Sequence, residues 1–195
     1  LEQALQQAST KLDSQQAAAE AQAAVTEEKR KAYEQATAAL DAYLKAQSQK
    51  YQDPARHCSL DFTCPLPSVG RISTYFGEPD AVYNKPHTGA DLPAASGTLI
   101  YAVADGVVSA ASTRHSYGNC VQIDHGTADD GSSYATLYAH MSSFCVSAGQ
   151  TVHKGDVIGY VGNTGDVRGA NGGYHLHLEL RINGTRTDPL QYIPH

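Results

Sequence analysis

The chain has 195 residues, enough for one domain with an appendage or for two small domains. Its formal net charge is -6 and its pI near 5.8, and its only cationic cluster is Lys29-Arg30-Lys31, so no nucleic-acid partner is expected. No apolar run approaches the ~20 residues that span a bilayer, and because the sequence starts at Leu1 and not at Met, a signal or membrane anchor is expected only upstream of it.

Residues 1–53 contain no Gly and are rich in Ala, Gln, Glu and Lys, all good helix formers, with Pro54 just past the end. Apolar residues recur at Leu1, Leu5, Ala8 and Leu12, and again at Tyr33, Ala36, Leu40 and Tyr43, in alternating steps of four and three. Gln15, Gln22, Thr26 and Lys29 occupy the seam between these sets. The spacing predicts a long helix of coiled-coil type whose narrow stripe needs a cover. That cover is a second copy, another helix, another protein or the neighbouring domain's own surface. The segment holds no His or Cys, so it is expected to gate or recruit, or to act as a spacer, and not to do chemistry.

From Pro54 the composition changes to Pro, Gly, Cys and aromatic residues. Residues 54–65 read as a junction clamped by Cys58 and Cys64, with Cys120 and Cys145 as the second pair. Four cysteines allow three connectivities, and zinc ligation by Cys58 and Cys64 with His57 competes with the first pairing. Disulfides imply an oxidising setting, outside the cell or in its envelope.

Residues 66–195 read as many short strands, hence a mainly β, antiparallel sheet or barrel-like domain. The stretch 69–77 alternates and then turns. Residues 98–110 read as a hairpin around Ala104-Asp105-Gly106. Residues 119–126 and 134–141 form two strands around a polar 128–133 loop. The segment 149–159, together with 104–108, resembles biotinyl and lipoyl carrier domains, but Lys154 lacks their flanking residues, so no carrier role is expected.

The stretch Tyr174-His175-Leu176-His177-Leu178-Glu179-Leu180 alternates with period two. A half-buried strand there puts His175, His177 and Glu179 on one face, the histidines roughly 7 Å apart at Cα, and the leucines in a core. His87-Thr88-Gly89-Ala90-Asp91 lies between Pro86 and Pro93, which argues for an extended turn and against a helix. A catalytic zinc takes three protein ligands, and His87, Asp91 and one of His175 and His177 meet that count. The remaining histidines, with His140 of Tyr138-Ala139-His140, supply acid–base groups.

His-x-x-x-Asp, a later Tyr-x-His and a closing Gly-Tyr-His-Leu-His-Leu-Glu resemble the M23 family of zinc peptidoglycan endopeptidases, the lysostaphin and LytM type. Residues 118–126, 134–140 and 162–165 carry the likeness, which covers about residues 66–192. The resemblance implies Zn2+ on His87, Asp91 and His177, with His140 and His175 handling the attacking water or the oxyanion. It implies a peptidoglycan peptide as substrate, and a place outside the cell or in the envelope. Degenerate relatives that lack zinc ligands and activate a cell-wall amidase through a coiled coil supply the alternative, with a protein partner or self-association at the helix. Glu179 is expected to support the site without a catalytic role, and Tyr83, Tyr117 and Tyr174 to wall the groove. His115, His125 and His153 are expected at the surface or in turns, and His57 and His195 lie outside the motifs.

Overall fold

In the computed structural model, residues 2–79, 85–114, 116–167 and 170–195 are described, with side chains described outside 2–14, 17, 18, 21, 170 and 171. Helix α1 (Glu2–Tyr51) takes up the Gly-free segment. Along its exposed length Arg30 bridges Glu27 and Glu34, each 2.7 Å from a guanidinium nitrogen, at the i,i+3 and i,i+4 spacings that face each other on a helix. Past its end, the Asp53 carboxylate accepts from the Ala55 amide at 2.9 Å, and Pro54 cannot continue the helix. The chain divides into two compact units, Leu1–Ala38 and Ala39–His195, so the last turns of α1 belong to the second.

The second unit is built on one antiparallel sheet. Its strands are β1 (Ala90–Pro93), β2 (Leu99–Tyr101), β3 (Gly106–Arg114), β4 (Gly118–Thr127), β5 (Ser133–Phe144), β6 (Thr151–Val152), β7 (Val157–Val161), β8 (His175–Ile182) and β9 (Thr185–Thr187). The order is β1-β8-β5-β4-β3-β6, with β9 on β8 and with β7 joining β5 to β2. Two short 3-10 turns, Ala170–Gly173 and Pro189–Gln191, complete it. The mainly β expectation holds, and β4 and β5 form the expected pair around the 128–133 loop.

Two local expectations do not hold. Residues 98–110 are not a hairpin, because β2 pairs with β7 while β3 pairs with β4 and β6. The Asp105 carbonyl and carboxylate at that corner are taken by the His125 ring and the Lys154 amide, so the turn joins different neighbours. Residues 69–77 form no strand: they meet the sheet at an isolated Thr74–Asp91 bridge and a Ser73 amide bond to Asp91 O, with Val69 and Ile72 packed on the core.

The sheet buries both faces. Leu92, Ile100, Val121, Ile123, Tyr138, Leu176, Leu178 and Leu180 fill the main core. On the other face Tyr117, Cys120, Leu137 and Ala139 pack with Leu40 and Leu44 of α1. Burying those two leucines is worth about 1.5–3 kcal/mol each relative to exposure. The Leu40 end of the predicted seam is thus covered by the sheet of its own chain, while Leu1, Leu5, Ala8 and Leu12 lie outside the described side chains.

All four cysteines are free thiols, which corrects both expected disulfides. Cys120 is buried beneath α1 with its thiol on the Ser112 carbonyl, whereas Cys145 is exposed with its thiol on the Val157 carbonyl. Residues 54–65 need no clamp: Cys58 N donates to Thr127 O at 2.9 Å and Thr63 N to Val103 O at 2.8 Å, pinning the junction as an extended strap.

Candidate metal centre

The register of the sheet brings the two halves of the site together. β1 lies antiparallel to β8 with Asp91 opposite His177 and Pro93 opposite His175. The turn before β1 presses on β8 so closely that a Cβ on Gly89 would sit 2.2 Å from the Leu178 carbonyl oxygen. Only glycine permits that approach. His87 is fixed one step earlier, its amide donating to Glu78 O at 2.7 Å and its carbonyl accepting from Gly77 N at 2.9 Å.

The side chains converge on one carboxylate oxygen. Asp91 Oδ1 lies 3.0 Å from His87 Nε2, 2.8 Å from His177 Nδ1 and 3.6 Å from His175 Nε2. The donor atoms of His87, Asp91 and His177 all lie within 4.8 Å of one another, the one such group of metal-binding side chains among the described residues. A tetrahedral ion with bonds of 2.0–2.1 Å needs donors roughly 3.3 Å apart, so the set fits zinc in type and spacing. The electrostatics fit too. Burial alone would raise the Asp91 carboxyl, but hydrogen bonds from His177 and His87 hold it well below the usual carboxylate range. Burial alone would lower His177, yet Asp91 and then Glu179 raise it to about 9. The pull that holds a proton on this imidazole is the pull a cation meets.

His140 and His175 flank this group, their ring centroids 4.8 Å apart. His175 Nδ1 donates to Gly173 O at 2.6 Å and His140 Nδ1 to Thr164 O at 2.9 Å. A carbonyl only accepts, so when either ring carries a single proton that proton sits on Nδ1 and Nε2 keeps its lone pair. Burial, followed by the charges of His177 and His175, pushes His140 down to about 3. His140 also has φ 58°, in the left-handed region, at an irregularity of β5. A non-glycine residue there costs ~1–3 kcal/mol and marks a place where the backbone is bent to aim a side chain. The Thr164 loop is held in turn by the 116–119 turn, where a Cβ on Gly118 would meet Thr164 at 2.3 Å.

The polar face of β8 is buried, not half-buried, because α1 and the 116–119 turn cover it. Glu179 is fully buried and accepts from Tyr117 OH at 2.7 Å, Arg186 Nε at 3.1 Å and Arg181 Nη2 at 2.7 Å, with His177 Nε2 at 3.5 Å. Burial alone would raise its pKa, but these partners hold it well below the carboxylate range. Tyr117 is therefore no groove wall: only 4% exposed, it binds Glu179, lies 3.1 Å from Thr88 Oγ1 and stacks on His140. Tyr174 is exposed, as a groove wall requires, and Tyr83 lies outside the described residues.

The other histidines divide. His57, His153 and His195 are exposed. His115 lies outside the described residues. His125 is 1% exposed, which corrects its assignment to the surface. It packs edge-on to Phe62 and is hydrogen-bonded at both nitrogens, to Asp105 O and Thr136 Oγ1, each at 2.8 Å. Thr88, Arg181, Arg186 and Asp41 escaped sequence reasoning. Arg181 had a signal, since it follows Glu179 on the same strand face. Asp41 had none, because it reaches Arg181 across 140 residues.

A His-Asp-His cluster with two further imidazoles, mounted on an antiparallel sheet, defines a metallopeptidase-type centre. The model of peptidase family M23 matches residues 85–189, more than half the chain, and the chain belongs to that family. Among curated relatives, DD-carboxypeptidase/endopeptidase Mpg of Neisseria meningitidis is 42% identical over 123 residues, 62% of this chain and 26% of Mpg. Peptidoglycan DD-endopeptidase ShyA of Vibrio cholerae is 36% identical over 74% of this chain and 33% of its own. Murein hydrolase activator NlpD of Escherichia coli is 33% identical over 66% and 30%. The chain thus spans about a quarter to a third of these relatives. A Pseudomonas aeruginosa M23 peptidase structure superposes with TM-score 0.60 at 29% identity, over 84% of this chain and 59% of that one. A zinc-containing peptidase from Vibrio cholerae does so with TM-score 0.57 at 26% identity, over 65% and 38%.

Proposed function

We propose that this chain carries a zinc-dependent endopeptidase that hydrolyses peptide bonds in bacterial peptidoglycan, in the cell envelope. The observation that carries the reading is the convergence of His87 Nε2 and His177 Nδ1 on Asp91 Oδ1, beside two imidazoles with bare Nε2 atoms. His87, Asp91 and His177 would hold the metal, and His140 and His175 would handle protons. When bound, zinc polarises the scissile carbonyl and lowers the pKa of water towards ~7. His175, whose Nε2 lies 3.6 Å from Asp91 Oδ1, would accept the proton of the attacking water. His140 would hold the oxyanion or return a proton to the leaving amine, and the bond from its Nδ1 to Thr164 O, which leaves Nε2 bare, supports that reading. Thr88 Oγ1 at 3.3 Å and Glu179 at 3.5 Å from His177 Nε2 would orient that ring from its far side.

The names of Mpg and ShyA favour a DD cross-link as the bond cut. The similarity to NlpD supports a second reading, a non-catalytic module that activates an amidase through its helix. Retention of His87, Asp91, His177, His140 and His175 favours the enzyme. Incubation with purified cross-linked peptidoglycan, followed by mass spectrometry of the fragments, decides between them. The enzyme converts cross-linked muropeptide dimers to monomers and stops when a chelator is added. Intact dimers at full zinc loading, with hydrolysis appearing only when an amidase is supplied, would establish the second reading.

A further inference from the structure

Beyond Glu179, the polar face of β8 continues into a charge network that no metal ligand belongs to. Arg181 Nη2 donates to Asp41 Oδ1 at 2.8 Å, and Arg186 grips the same carboxylate with Nη1 and Nη2 at 2.8 and 2.7 Å. Both guanidiniums also hold Glu179, Arg181 through Nη2 and Nε at 2.7 and 3.2 Å and Arg186 through Nε at 3.1 Å. Two cations are thus shared between two carboxylates, one on β8 and one on α1. The α1 carboxylate is anchored by Leu40 and Leu44, which bury on either side of it against Leu137, Ala139 and Tyr117.

Glu179 is the only one of the two that touches the metal-binding group, at 3.5 Å from His177 Nε2. Its direction depends on where the guanidiniums lie. With Asp41 in place, each arginine is held from both ends, and the geometry is of the planar, bidentate kind that fixes a guanidinium most firmly. Without Asp41, two guanidiniums face a single buried carboxylate. They are then free to repel each other and draw Glu179 away from His177. Partners beyond the ligands typically govern metal affinity by 10–100-fold when lost.

We propose that Asp41 is a positioning residue for the metal centre: through Arg181 and Arg186 it aims Glu179, and through Glu179 the ring of His177. The last turns of α1 are then part of the centre's frame. The proposal rests on His177 being a metal ligand.

The test is zinc affinity of the full chain, measured by competition with a chromophoric chelator. Asp41→Asn keeps shape but loses the charge-assisted bidentate pairing, and its one-third-exposed side chain tolerates the change. It should weaken zinc binding by about tenfold, within the range that such outer partners command. Asp41→Glu should recover part of the loss, and Lys45→Ala, an exposed neighbour on the same turns, should bind as the unaltered chain does. In a Glu179→Gln background, Asp41→Asn should cost nothing further, an outcome that mere loosening of the helix does not produce. Unchanged affinity in Asp41→Asn overturns the proposal, and so does an equal loss in the Glu179→Gln background. His177→Ala separates the two failures. If that variant binds zinc like the unaltered chain, the ligand assignment falls and the proposal with it. If it loses zinc while Asp41→Asn does not, only the relay is wrong.

Discussion

Two clusters of buried imidazole sit on the two faces of one sheet, and they differ in what their hydrogen bonds leave over. Around His125, both ring nitrogens are matched by neutral partners, and Thr136 and Tyr138 carry the chain of contacts on to the Val103 amide. Nothing in that cluster is aimed at a ligand. Around His177, three imidazole nitrogens, of His87, His177 and His175, gather at one carboxylate oxygen, and one further ring, His140, presents a bare Nε2 atom. Burial is common to both. The difference is that one cluster pairs its ring nitrogens with neutral partners, while the other gathers the donor set a metal ion would need, so the chemistry of the partners marks function better than depth does.

The comparison breaks most visibly at the ligands. His177→Ala removes one of three protein donors and should abolish peptidoglycan hydrolysis, whereas His125→Gln should leave turnover near the unaltered level in a muropeptide assay at neutral pH. Loss of activity in the second with retention in the first would invert the assignment of the two clusters.

A smaller effect is expected from the two rings proposed to move protons. His140→Ala and His175→Ala should keep zinc but lower turnover by ~10²–10⁴-fold, the usual worth of acid–base assistance. Metal analysis beside steady-state rates checks this. A variant that loses its zinc would belong with the ligands.

The self-satisfied cluster makes its own prediction in stability. Burial, against the pull of the Asp105 carbonyl, lowers His125 from 6.5 to about 4. The unfolded chain therefore binds the proton first, between those two values, and stability falls as pH drops through that window. The loss from this group is about 3 kcal/mol, complete near pH 4 and absent above pH 7. Urea melts at pH 7 and pH 4.5 should show a clearly smaller acid penalty in His125→Gln than in the unaltered chain. Equal penalties would mean that the His125 ring is charged when folded.

The smallest effect concerns the thiols. Cys145 is exposed and should alkylate readily in the native protein, while burial raises Cys120 to about 11 and should leave it unreacted until denaturation. Mass mapping of a non-reduced sample that found Cys120 bonded to Cys145 would contradict the free thiols of this fold.

Much of the site was legible because its residues lie on regular strands. Period-two alternation put Leu176, Leu178 and Leu180 in the core, and His177 and Glu179 opposite them. The Pro-flanked His87–Asp91 turn read correctly as extended, since a helix was excluded by Pro86, Gly89 and Pro93. The pairing of residues 98–110 was not legible, because an Asp-Gly corner looks the same whether it closes a hairpin or passes between neighbours. His125 was misplaced because its burial depends on Phe62 and Thr136, which local sequence does not connect to it. Tyr117 was misread for the same reason, its hydroxyl being spent on Glu179 62 residues away.

The central claim is that His87, Asp91 and His177 form one zinc site. Equilibrium dialysis of the chelator-stripped full chain against zinc, with metal counted by atomic emission, tests it most directly. One zinc per chain is expected in the unaltered protein and in His125→Gln, and far less than one in His177→Ala and Asp91→Ala. A full zinc in His177→Ala and Asp91→Ala would contradict the account.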